Sequence, residues 1–142
     1  LIWQQNPVID NFYELKSIET NWVLCAHNHI QQIIENKVSI PLVVLQQPCI
    51  LRQMALEALE QIGLAWYIAY ECNSVQALWP AVRAGIGIGL RSCFQIPSDI
   101  HRIESDILPK LKPLNFGLYF NSTTQSVHII QQFQRYIEQH LR

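Results

Sequence analysis

The sequence is short of charge. Only 15% of its 142 residues are Asp, Glu, Lys or Arg, and they sum to a formal net charge of −1. A surface that grips DNA through its phosphates carries a basic excess, so this stretch is not expected to touch nucleic acid itself. The 49% hydrophobic content excludes disorder, which needs low hydrophobicity and high net charge. Long apolar runs are missing, because charges and glutamines interrupt every candidate, and no membrane span is expected. No basic start followed by an apolar segment marks a secretory leader. An initial methionine is also missing: the chain opens on Leu1, Ile2 and Trp3 and reads as the inside of a domain, so a truncated piece of a longer polypeptide is expected. Cysteine pairs are absent as well. Cys25, Cys49, Cys72 and Cys93 are widely spaced without a CxxC, and they read as free thiols of a cytosolic protein in preference to two disulfides.

What is present is an alternation of strand and helix signals. Residues 13–18 and 22–26 are rich in β-formers around Glu19, Thr20 and Asn21, which predicts two strands and a turn. Residues 30–37 predict a short helix or loop. The apolar run 41–45 is typical of a strand covered on both faces. Pro48 suits a first helical turn, after which Leu51, Met54, Ala55, Ala58, Leu59 and Ile62 recur on one face up to a stop at Gly63. A strand over 66–70 follows. Asn73 and Ser74 signal a helix start, and Val75, Leu78, Trp79 and Val82 continue as its apolar face, with Pro80 inside it. Strands over 86–90 and 116–120 and a helix over 126–141 complete the pattern, the helix presenting Val127, Ile130, Phe133, Ile137 and Leu141 on one side. This order predicts an α/β fold with a largely parallel sheet. Ligands bind such sheets beyond the carboxyl ends of the strands. The helices starting near Pro48 and Ser74 would both offer free N–H groups at that edge, which suits a carboxylate or similar anion.

The stretches from Pro41 to Leu45, from Pro48 to Glu60, from Trp66 to Tyr70 and, most specifically, Asn73-Ser-Val-Gln-Ala-Leu-Trp-Pro-Ala-Val-Arg-Ala-Gly-Ile-Gly-Ile-Gly-Leu90 resemble the effector-binding domain of LysR-type transcriptional regulators. The resemblance covers roughly residues 12–141. It implies a fold like type 2 periplasmic binding proteins, with two α/β lobes, two crossover strands and a small effector in the cleft between the lobes. Here that means one full lobe plus part of a second: lobe two over about 28–92, with 1–27 and 95–142 as crossover and remainder of lobe one. In full-length members an N-terminal winged helix-turn-helix binds DNA and a linker helix dimerises. Both are absent from this sequence, together with about the first half of lobe one. An exposed half-lobe would leave apolar surface in need of a partner.

The resemblance places Gln46, Gln47, Pro48 and Cys49 on the lobe-two wall of the cleft, where amides can hydrogen-bond an effector. The competing reading is a solvated strand-to-helix loop. Asn73, Ser74 and Val75 form a second wall. Ser74 would cap its helix and present its hydroxyl to a ligand, against capping alone. Arg91 and Ser92, before Cys93, form a third, where Arg91 would pair with a carboxylate unless it is only a solvated surface arginine. Arg52, one turn into its helix, points either to the cleft or to a dimer contact.

Other chemistries lack context. The glycines at 85, 87 and 89 close a helix and open a strand, the reverse of a dinucleotide fingerprint, and fit a tight reversal with close packing. His27 and His29, near Cys25, share a strand face, yet nothing completes a metal site, and His101, His128 and His140 are scattered. No cofactor is expected. No catalytic signature such as GxSxG is present, and no enzyme is expected. Cys49, near a helix start, is the alternative candidate for thiol-based sensing.

The leading expectation is therefore small-molecule sensing for a DNA-binding transcriptional regulator in the cytoplasm. It would work as a homodimer or higher oligomer, with the helix over 48–62 near the interface, DNA reached only through the N-terminal domain, and no membrane. The runner-up is a fragment of a solute-binding protein of the same architecture, and a third reading is a small α/β enzyme.

Overall fold

The computed structural model describes residues 2–4, 12–25, 28–94, 96–119 and 127–140. Its elements, in chain order, are β1 (Ile2–Gln4), β2 (Phe12–Ile18), β3 (Thr20–Leu24), α1 (Asn28–Glu35), β4 (Ile40–Leu45), α2 (Ile50–Gln61), β5 (Trp66–Cys72), α3 (Val75–Arg83), β6 (Gly89–Ser92), β7 (His101–Arg102), β8 (Leu114–Tyr119) and α4 (Val127–His140). They fall into two compact units, one of residues 1–18 and 113–142, the other of residues 19–112.

The first unit carries a three-stranded antiparallel sheet in the order β1-β8-β2. Ile18 pairs with Leu114, and both side chains are buried. A register shift between Glu14 and Lys16 interrupts the β2–β8 ladder. The helix α4 belongs to this unit. Ile137 on its expected apolar side is half-buried and Phe133 is exposed, while the side chains of Val127 and Ile130, and Leu141 altogether, lie outside the described set.

In the second unit β4 and β5 run parallel, with Ile40 opposite Trp66 and Leu45 opposite Cys72. The apolar run of β4 is buried on both faces, with Ile40, Leu42, Val43 and Val44 all nearly inaccessible. This is what an unalternating strand requires. On α2, Leu51, Met54, Ala55 and Leu59 are buried, but Ala58 is only half-buried and Ile62 is exposed, so the apolar face stops a turn early. The helix begins at Ile50 with Cys49 as N-cap, and Pro48 lies outside it after a cis Gln47–Pro48 peptide.

Three helices of this unit end in the same way. Gly63 and Gly85 adopt φ of +67° and +70°, and Lys37 adopts +53°. Behind each, paired backbone bonds close the last turn: Gly63 N–H to Glu60 and Leu64 N–H to Leu59, Gly85 to Val82 and Ile86 to Ala81, Lys37 to Ile34 and Val38 to Ile33. This pattern satisfies the orphan carbonyls at a helix C-terminus and demands a left-handed residue.

A largely parallel sheet does not form. Among the described residues parallel pairing is confined to β4–β5 and one Leu42–Ile88 bridge, whereas β3 pairs antiparallel with both β6 and β7. The crossover through α2 returns the chain in the same direction, but β3 and β6 open and close the helical part of the unit and so run opposite ways. No hairpin joins β2 to β3: only Glu19 separates them, Thr20 and Asn21 already belong to β3, and each strand pairs with a partner distant in sequence. The strand expected over 86–90 begins at Gly89, because the residues before it are used in the end of α3 and the bridge to Leu42.

Candidate functional site

The end of the parallel pair sets the site. The Gln46 N–H donates to the Cys72 carbonyl at 2.8 Å, one step beyond the last pair of β4 and β5, and both strands then turn into helices. At α3 the turn is closed by Ser74, whose Oγ accepts from the Ala77 N–H at 3.2 Å. At α2 no side chain caps the helix. Arg52 is drawn inward: its Nη1 donates to the Leu45 carbonyl and to Glu71, tying the end of β4 to β5. These bonds hold its guanidinium against the end of the β4–β5 pair of its own unit.

Beside these helix starts runs β6. Val75, Gln76 and Trp79 of α3, Arg91 and Ser92 of β6, and Phe94 line a cavity of about 330 Å³. Three of these, Val75, Arg91 and Ser92, are residues the sequence singles out. Gln76, Trp79 and Phe94 are not, although Gln76 and Trp79 lie in the opening turns of a helix at a strand's carboxyl edge. Gln46, Gln47, Pro48 and Asn73 are exposed and do not line this cavity. Cys49 is half-buried and lies against a separate void of about 10 Å³ shared with Leu51, Leu78 and Arg91, so it belongs to the packing between α2 and β6.

Arg91 dominates the electrostatics. Its guanidinium is held below the ordinary arginine value by burial, which the nearby Cys49 and Cys72 thiols partly oppose. Among the described residues it makes no hydrogen bond or ion pair. Among the described residues no carboxylate lines the cavity. A desolvated cation without a partner is an unfavourable arrangement that an anion in the cavity would relieve. The first residues of α3 form one wall, and the positive end of the helix dipole adds to the same preference.

The four cysteines are free thiols, and burial pushes the Cys72 thiol up. His29 contacts the Gly85 carbonyl through Nε2 at 3.1 Å. No three His, Cys, Asp or Glu side chains among the described residues converge on a metal-sized site, and His27 lies outside them. No described helix is long and apolar enough to cross a membrane.

Residues 11–142 match the family of LysR substrate binding domains. The chain belongs to this family. Its fold is accordingly the mixed α/β, type 2 periplasmic-binding-protein-like fold of LysR substrate-binding domains. Among curated relatives, the HTH-type transcriptional regulator PecT of Dickeya dadantii (strain 3937) is 34% identical over 108 residues, which is 75% of this chain and 33% of PecT. The chain thus spans about a third of that relative's length. Among solved structures, the regulatory domain of OxyR2 from Vibrio vulnificus, as its C206S mutant, matches with a TM-score of 0.71 at 15% identity, over 94% of this chain and 68% of that one. The CcmR regulatory domain of Synechocystis PCC6803, in complex with 2-PG, matches with a TM-score of 0.66 at 16% identity, over 97% and 70%.

Proposed function

We propose that this LysR-family chain is the effector-sensing part of a transcriptional regulator, and that its effector is a small anion held at Arg91. One observation carries the reading: a desolvated guanidinium, without a partner among the described residues, lines a cavity of about 330 Å³ in which those residues place no acidic group. A carboxylate fits, since a guanidinium pairs with its two oxygens through parallel N–H bonds. Ser92 and the backbone at Val75 complete the polar side, and Ser74 serves the site by capping the helix that forms the wall. In this reading the exposed Gln46, Gln47, Pro48 and Asn73 would meet larger effectors, whereas Cys49 stays in the packing between α2 and β6.

Regulation requires that the effector bind one conformation of the protein better than another. The conformational change is passed to a DNA-binding domain elsewhere in the regulator, in keeping with the absence of a basic excess here. Residues 28–92 act as lobe two, and 1–27 with 95–142 as crossover and remainder of lobe one. The protein works as a cytoplasmic homodimer or higher oligomer, with the outer face of α2 near the contact between copies. No catalytic step is assigned.

The test is calorimetric titration of a panel of small carboxylates into the unaltered chain and into Arg91→Gln. Binding of at least one acid, weakened about 100-fold by the substitution, is expected from the loss of a charge-assisted pair. An acid that binds both proteins equally well would remove Arg91 from the site.

A further inference from the structure

Arg91 has a neighbour that sequence inspection does not reveal. On the antiparallel pair β3–β6, Asn21 stands directly opposite Arg91. Directly opposed residues project to the same face with their β-carbons about 4.5–5.5 Å apart. Two residues further on, the next pair on that face is Val23 with Gly89. Val23 is packed in the core with Leu78, Ala81 and Val82 of α3, and the Gly89 α-carbon faces Leu78. Asn21 and Arg91 therefore occupy the face of the sheet that α3 covers, the face on which the cavity lies. The Asn21 Nδ2 is buried and has no hydrogen-bond partner. It is one of only two such side-chain atoms among the described residues, the other being the Nε of Arg52. Two donors opposed across the strand pair thus lack acceptors, one charged and lining the cavity, the other neutral and buried next to it.

We infer that Asn21 and Arg91 form one paired donor site for the carboxylate of a flat aromatic acid, whose ring lies between Trp79 and Phe94. This inference rests on the effector reading given above. The donor set argues for a monoanion: Arg91 supplies one positive charge, the other polar side chains of the lining, Gln76 and Ser92, are neutral, and so is the buried amide of Asn21 behind Arg91. A phosphate dianion would keep an uncompensated charge in a partly desolvated cavity. The rest of the lining, Val75, Trp79 and Phe94, is apolar and two-thirds aromatic, which suits a planar ring.

Benzoate and inorganic phosphate are the probes. Each is titrated into the unaltered 142-residue chain and into Asn21→Leu, Asn21→Asp and Arg91→Gln, and the unfolding temperature of each free protein is recorded. Benzoate is expected to bind the unaltered chain more tightly than phosphate. Asn21→Leu should weaken benzoate about 10-fold, the worth of one hydrogen bond to a charged group. The same substitution should leave the free protein as stable or more stable, because it removes an orphaned donor. Asn21→Asp should abolish binding by placing a competing carboxylate beside Arg91. If Asn21→Leu binds benzoate as the unaltered chain does while Arg91→Gln loses it, the Asn21 assignment is overturned and the effector reading stands. If Asn21→Leu lowers the unfolding temperature without changing affinity, the amide is structural and the inference fails. Phosphate binding tighter than benzoate, or no benzoate binding by the unaltered chain, overturns the assignment of a flat aromatic acid. Equal benzoate affinity in Arg91→Gln overturns the effector reading itself.

Discussion

A β-carbon on Gly87 would lie 2.4 Å from the carbonyl oxygen of Pro41. The same carbonyl accepts from the Ile88 N–H at 2.9 Å, and the Val43 N–H donates back to Ile88 at 2.8 Å, so the backbone on both sides is fixed by the bridge. Neither partner is a flexible side chain that could move aside. Gly87→Ala is expected to lower stability by about 2 kcal/mol, within the range for overpacking a filled interior. Gly89→Ala is the control, because its β-carbon would meet Val23 and the Val43 carbonyl at 3.5 Å, an ordinary contact. Urea unfolding of both variants checks the difference.

The end of α1 invites a gain. Lys37 occupies the left-handed position that Gly63 and Gly85 fill after α2 and α3. Lys37→Gly should stabilise the protein by about 0.5–1 kcal/mol, since only glycine takes this conformation without steric penalty. Gly63→Ala should cost about 1 kcal/mol for the same reason. Open space around Gly63 makes it a clean probe of backbone strain. Opposite signs for the two substitutions in denaturant titrations are the expected result.

The two helix starts at the site differ in capping. Ser74 accepts from the Ala77 N–H, while Cys49, extended at φ −143° and ψ 114°, caps nothing with its side chain. Ser74→Ala should lose about 1 kcal/mol, and Cys49→Ser should gain about 0.5–1 kcal/mol by supplying the missing acceptor. Thermal unfolding without effector separates these effects from any on binding.

The Arg83–Asp99 pair predicts a pH dependence. Arg83 donates to both carboxylate oxygens of Asp99 and holds that carboxyl below its usual range. A depressed folded-state value means the stabilisation is complete above the unfolded value of about 4 and disappears as pH falls through the folded one. The stability difference between the unaltered chain and Asp99→Asn should therefore be constant near neutrality and vanish in acid. A difference that does not shrink as the solution is acidified, or one that grows, would contradict the role given to this exposed pair.

The parts of the fold that could be read from the sequence are those fixed by local rules. The unalternating run of β4, the helical spacing of Leu51, Met54, Ala55 and Leu59, the stop at Gly63 and the cap at Ser74 each depend on residues a few positions apart. Arg91 and Ser92 were accessible to the same reasoning because they follow a strand. The antiparallel partnership of β3 with β6 was not, since it joins Asn21 to Arg91 across most of the unit and no local periodicity encodes strand direction. Gln76, Trp79 and Phe94 escaped notice for a related reason: a cavity is defined by side chains from two elements whose spacing is tertiary. Trp79 in particular reads as part of a core face, and it is only half-buried because that face ends at the cavity. Lys37 gives no helix-stop signal, because the left-handed position it fills is one that glycine or asparagine usually marks.

The cavity lining falls entirely within residues 75–94, a single uninterrupted stretch that begins at the cap of α3 and ends just past β6. Its backbone neighbours, β3, β4 and β5, contribute scaffold and, at Asn21, one donor. Chemical preference is thereby written in a transplantable cassette. Under the proposed effector reading, exchanging that stretch between related chains would move the ligand preference with it, and would carry α3, its end at Gly85 and β6 along.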